Sequence, residues 1–166
     1  MTDPLPQAAS AWVFDRRGRI LLVQDDYDRH RWGPPGGAIE AGESPLEAVQ
    51  REFEEETGAT FRPAALIGLY HFTYPSGRME PWLGYCFAGT AVGEPTLPGS
   101  GEIADLGWFS SDELPGPTTN LLKHVIADAR DRRSWIRGGD QKGTELRLPA
   151  LALGHDHQPL GDAQRR

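Results

Sequence analysis

The amino-acid sequence predicts an α/β fold, a sandwich built on a mixed β-sheet. Three observations lead there. Runs rich in aliphatic, aromatic and β-branched residues alternate with two amphipathic helical segments, in the order strands, helix, strands, helix. The 166 residues suit one domain with a core of its own. No internal repeat and no long linker divides the chain. The expected domain spans 1–137, with a loosely attached tail over 138–166.

"ASAWVFD" and "RILLVQD" are the first strands, and "RRG" between them reads as a hairpin turn. "DDYDRHRWGPPGG" is polar and rich in Pro and Gly, hence a loop. "GESPLEAVQREFEEETGA" is a helix with legible ends. Ser44 suits the N-cap, Pro45 the first helical position, and Glu47 three residues on completes a capping box. Gly58 supplies the stop, so the helix is expected over 45–57. "ALIGLYHFTY" and "EPWLGYCFAGTAV" are strands separated by the turn "PSGRM". "GEPTLPGSGE" is a loop, "ADLGWFS" a short strand, and "SSDELPG" one helical turn stopped by Pro115. In "TTNLLKHVIADARDRR", Leu122, Val125, Ile126 and Ala129 share one face, and Thr118 or Thr119 is the N-cap. After Arg133 the pattern fades. The remainder, with its apolar patch "LPALAL", is read as a loose tail or as an arm that packs on a partner subunit to give a homodimer.

Composition narrows the function classes. With 38% hydrophobic and 25% charged residues, the chain has an ordinary soluble globular make-up. Its net charge of −7 argues against a nucleic-acid backbone or an anionic membrane as the main partner. If the substrate is a phosphate, metal cations must bridge it to the protein. The lone Cys86 supports neither a disulfide framework nor a zinc cluster, and is expected to pack as a small hydrophobe. No secretory signal and no apolar run of about 20 residues is seen, so the expected location is the cytoplasm.

One segment resists a purely structural account. Arg51 to Glu56 carries four carboxylates, one cation and a single apolar side chain. Like charges three or four apart on a helix cost a few tenths of a kcal/mol per pair, and near a helix C-terminus the macrodipole disfavours them further. On a helical wheel Leu46, Val49 and Phe53 form the apolar stripe. Glu52, Glu55 and Glu56 fall together beside it, with Ala48 on the same stripe one turn earlier, small enough to leave space, and Glu54 points towards solvent. A solvated acidic face is the bland explanation. Against it, the acidic cluster borders the apolar stripe instead of opposing it, and the Gly-rich "WGPPGG" lies just ahead of the helix. Convergent carboxylates suit hard cations such as Mg²⁺ or Mn²⁺, and a cation beside carboxylate bases suits hydrolysis of a phosphoanhydride.

Gly37, five residues, Glu43, seven residues, then Arg51-Glu52-Phe53-Glu54-Glu55-Glu56-Thr57-Gly58-Ala59 resembles the signature of the Nudix hydrolase family, MutT-like proteins. Seven identity-fixed positions agree, with chance odds on the order of 10⁻⁸ per start point. Phe53 is larger and Ala59 smaller than is usual at the looser aliphatic positions. The resemblance implies an α/β/α sandwich and hydrolysis of a nucleoside diphosphate linked to another moiety. It implies Glu52, Glu55 and Glu56 as ligands of Mg²⁺ or Mn²⁺, with the Gly37 carbonyl as a further one. Arg51 and Glu43 would orient those carboxylates. Glu102 and Glu52 are the candidates for the general base. Substrate contacts are assigned to Tyr27, Trp32, Phe72, Tyr74 and Pro75, with Trp82 as a further ring for stacking. Pro75 sits where family members acting on ADP-ribose carry a proline, and the adjacent Tyr74 where dinucleoside polyphosphate hydrolases carry a tyrosine, so the two markers conflict. "HDH" at 155–157 is expected to be solvated. A Nudix-fold sensor that binds a nucleotide without cleaving it is the alternative; the complete acid set favours the enzyme. Assembly through the C-terminal arm is a third role.

Overall fold

The structure is a computed structural model that describes residues 4–26, 30–73, 81–99 and 101–131, together with two short backbone strands at 134–137 and 146–148. In chain order the elements are β1 (Gln7–Val13), β2 (Ile20–Asp25), β3 (Trp32–Gly33), β4 (Gly36–Ala38), α1 (Pro45–Thr57), β5 (Thr60–Thr73), β6 (Pro81–Val92), β7 (Ile103–Phe109), α2 (Asn120–Asp131), β8 (Ser134–Arg137) and β9 (Leu146–Leu148). Six strands form a mixed sheet in the order β4-β1-β6-β5-β8-β9, and three form a second sheet, β3-β2-β7. Within the first, β1 runs parallel to β6 and antiparallel to β4, and β5 pairs antiparallel with β6.

The period-two alternation of β1 explains the sandwich. Ala9, Ala11 and Val13 join a core with Val49 and Phe53 of α1. Trp12, between them, joins a second core with Leu122, Val125 and Ile126 of α2. Each helix therefore covers one face, and α/β/α layering follows. Small residues in β1 leave room for Phe53, whose ring centroid lies 5.3 Å from that of Phe61. Burying Val49 and Phe53 stabilises by about 1.5–3 kcal/mol each. Cys86 is buried, and burial pushes its thiol up to about 12, which fits a packing role. Among the described residues, no helix is long and apolar enough to cross a membrane.

Four expectations change. The "RRG" turn exists, with Gly18 N–H donating to Asp15 C=O at 3.0 Å, but β1 and β2 enter different sheets and meet at a single bridge, Phe14 with Ile20. Pairing with distant strands outweighs the local hairpin. The loop ahead of α1 contains two short strands: β3 pairs with β2 and β4 with β1, so the chain passes between the sheets across Pro34-Pro35. Neither proline has an N–H to leave unpaired there. "SSDELPG" forms no helical turn of its own; it is one tight turn closed by Glu113 N–H to Ser110 C=O at 3.1 Å. Ala48 does not leave space beside the glutamates but is fully buried in the α1 core, because that core is broader than a three-residue stripe.

Candidate active site

Register on α1 decides which carboxylates meet, and both ends of the helix are fixed. Glu47 N–H donates to Ser44 Oγ at 3.3 Å, and Ser44 N–H donates to Glu47 Oε2 at 2.8 Å, which is the expected capping box. At the other end Gly58 takes a left-handed φ of 67° and donates to Glu54 C=O. Thr57, fully buried, donates its hydroxyl to Phe53 C=O at 2.6 Å. The helix spans Pro45–Thr57, as the sequence predicts.

Arg51 organises the acids. Its Nε and Nη2 donate to the two oxygens of Glu43 at 2.8 and 3.0 Å. Nη1 donates to Glu52 Oε1 at 2.8 Å and to Glu55 Oε2 at 3.3 Å. Nη2 also reaches the Ala38 carbonyl at 3.2 Å. One guanidinium thus ties α1 to β4 and to the turn before the helix. The Arg51 hydrogen bonds, aided by Glu40 N–H, hold Glu43 down to about 2. Arg51 itself is pushed up, first by Glu43. Gly37 lies against Glu52 so closely that a Cβ there would stand 2.5 Å from Oε1.

Glu54, Glu55 and Glu56 occupy three environments. Glu54 is exposed, as the wheel predicts. Glu55 is 59% exposed and held by Arg51. Glu56 is turned inward, where its Oε2 accepts Gly36 N–H at 2.9 Å. Burial first, then the charges of Glu52, Glu102 and Glu55, push its carboxyl up to about 8, against the lowering effect of Gly36 N–H. Burial also raises Glu52, opposed by Arg51.

Glu56 borders two hollows. A cleft of about 880 Å³ runs past Gly36, Gly37 and Glu56 to Trp32, Phe72 and Trp82. A smaller one of about 260 Å³ is lined by Glu55, Glu56, Glu102 and Ile103. Sequence-distant Glu102 is therefore brought to the helix carboxylates. The donor set is all oxygen and suits Mg²⁺ or Mn²⁺. Gly37, lacking a side chain, leaves its backbone free to approach, and the half-buried Glu56 carboxyl, raised to about 8, gains most from a neutralising charge. Among the described residues no three acidic or histidine side chains already stand at coordinating positions; the Arg51 contacts of Glu52 and Glu55 must adjust for them to share one ion.

Trp32 and Phe72 line the cleft, as does Trp82. Trp32 is 8% exposed and meets the Phe109 ring edge-on, with centroids 4.8 Å apart. Tyr27, Tyr74, Pro75 and the "HDH" of 155–157 lie outside the described residues. Sequence reasoning missed Gly36, whose φ of 153° and close approach to the β1 backbone demand glycine; the Gly-Gly doublet was the signal. It also missed Arg31 and Ser10 as lining residues of the cleft, and no local pattern marks either.

The profile of the NUDIX domain matches residues 4–129. The chain is 28% identical over 152 residues to the RNA pyrophosphohydrolase of Bartonella tribocorum, covering 75% of this chain and 87% of that protein. It is 29% identical over 126 residues to phosphatase NudJ of Escherichia coli, covering 75% and 80%. A MutT Nudix hydrolase from Burkholderia pseudomallei superposes with a TM-score of 0.68 at 29% identity, over 76% of this chain and 98% of that one.

Proposed function

This chain belongs to the Nudix hydrolase family, and on that premise we propose that it hydrolyses the pyrophosphate bond of a nucleoside diphosphate derivative with a divalent cation. The observation that carries this is the position of Glu56, half-buried at the junction of the large cleft and the acidic hollow. A substrate lying in the cleft can bring its phosphates to Glu56, which the cleft shares with the hollow lined by Glu55 and Glu102.

Glu52, Glu55, Glu56 and the Gly37 carbonyl would hold Mg²⁺ or Mn²⁺. When bound, the cation neutralises phosphate oxygens and acidifies a water. Gly36 N–H fixes one oxygen of Glu56 and leaves the other for the cation. Arg51 and Glu43 orient Glu52. Glu102 faces the same hollow, whereas Glu52 is held by Arg51, which supports Glu102 over Glu52 as the group that takes the proton from the attacking water. Trp32, Phe72 and Trp82 offer ring faces to a base. The test is phosphate release from a nucleotide panel under Mg²⁺, with coupling phosphatase. Turnover abolished by EDTA is expected; full turnover in excess EDTA removes the metal from the mechanism.

A further inference from the structure

We propose that Arg31 reads an additional phosphate on the substrate, so that nucleoside polyphosphates are preferred over nucleoside diphosphates linked to a neutral sugar; this rests on the hydrolase function proposed above. The backbone of Arg31 is fixed at the cleft wall. Its N–H donates to Asp25 Oδ1 at 2.9 Å, and its carbonyl accepts Asp25 N–H at 3.1 Å. The next residue, Trp32, donates its N–H to the Pro117 carbonyl at 2.9 Å. The side chain is not fixed in this way. Nη1 of Arg31 is buried and has no hydrogen-bond partner among the described residues. A buried cationic donor without an acceptor costs free energy, and folded proteins rarely leave one.

Arg51 provides the contrast. All of its nitrogens are engaged with Glu43, Glu52, Glu55 and Ala38, so it has no capacity left for substrate. Arg31 is the one cation among the described residues that line the cleft. A guanidinium fork matches the oxygens of a phosphate, and a charge-assisted bond is about twice as strong as a neutral one. A sugar hydroxyl draws far less from it. Nη1 is closed off in the free protein, so the guanidinium turns towards the cleft when the anion arrives; rotamer changes of this kind are common where the backbone stays fixed. The unmet hydrogen bond lowers the cost of that turn. Arg31 is thus placed at the expense of stability and in favour of binding.

The test compares wild type with Arg31→Met, which keeps the apolar stem and removes the fork, and with Arg31→Lys, which keeps only the charge. Binding of ATP and of ADP-ribose, three phosphates against two, is followed by tryptophan fluorescence in the presence of Mg²⁺ and under EDTA. Turnover of both is measured in parallel. Arg31→Met should weaken ATP by about ten- to hundredfold and change ADP-ribose by less than about twofold, with Arg31→Lys in between. Its melting temperature without ligand should equal or exceed that of wild type, because no hydrogen bond is lost. An equal loss on both nucleotides, or unchanged ATP affinity, overturns the proposal. So does a clear fall in melting temperature, which would make Arg31 a structural residue. If wild type binds ATP but cleaves neither nucleotide, the hydrolase function fails while the binding comparison still decides Arg31.

Discussion

Glu54, Glu55 and Glu56 follow one another in sequence, yet only Glu56 is driven inward, against Gly36 N–H. Glu54→Gln should change turnover by less than about twofold, whereas Glu55→Gln and Glu56→Gln should each lose at least about a hundredfold, the scale of losing a ligand or base. Steady-state kinetics checks this, and equal losses at 54 and 56 would contradict the geometry. Protonation supplies a second expectation. Without metal, the folded-state value of Glu56 is about 8 against an ordinary 4.5. Between those values the folded protein holds a proton that the unfolded chain has released, so stability falls as pH rises through this window. Glu43 acts oppositely, but its folded value of about 2 places its effect below the window. The metal-free melting temperature of wild type should therefore drop relative to Glu56→Gln as pH goes from about 4.5 to 8. Parallel curves for the two proteins would show that Glu56 is not perturbed. The wheel separates Glu54 from the others because that depends on helix period alone. It does not single out Glu56, because the N–H that Glu56 accepts belongs to Gly36, on a strand twenty residues away.

At the scale of elements, α1 and the β4 crossing make separable contributions. Ser44 works through the helix end: Ser44→Ala should cost about 1 kcal/mol, lower the melting temperature by a few degrees, and leave turnover per folded molecule nearly unchanged. Gly37 should show the opposite profile. A Cβ 2.5 Å from Glu52 Oε1 must push that carboxylate aside, so Gly37→Ala should lose at least about tenfold in turnover, the low end for a displaced ligand shell, with a modest thermal change. Calorimetry and kinetics on both variants check the pair; normal turnover in Gly37→Ala would remove Glu52 from the site. The helix was legible to the residue because its cap, period and stop are all local. β3 and β4, two and three residues long, are too short to show a period. The separation of β1 from β2 was hidden because their partners, β6 and β7, lie about 70 or more residues further along the chain.

For the whole molecule, the crowding of Glu52, Glu55 and Glu56 is a cost that the metal-free fold carries and a cation relieves. Burial raises Glu52 and Glu56, and the net charge of −7 gives the rest of the chain no surplus of cations to compensate. Mg²⁺ that binds the folded state alone should stabilise it by about 2.7 kcal/mol at a hundred times Kd. The triple Glu→Gln variant at 52, 55 and 56 removes the like-charge repulsion, and it should show no response to Mg²⁺. Against this, Arg51 donates to Glu52 and Glu55, and replacing both partners weakens those two bonds. Glu52 is the nearer partner at 2.8 Å and is shielded, while Glu55 is 59% exposed and its pair is worth little. Arg51 keeps its two-pronged contact with Glu43 in the variant, so its guanidinium is not left unpaired. Glu56→Gln also removes the cost of holding Glu56 protonated in the metal-free fold; that gain should then decide the balance, and the variant should melt at or above metal-free wild type. Differential scanning fluorimetry at fixed ionic strength, with and without Mg²⁺, measures all four states. A variant that melts well below metal-free wild type would mean that the glutamates act chiefly as structural partners of Arg51, and that the cation site is not what these carboxylates are for.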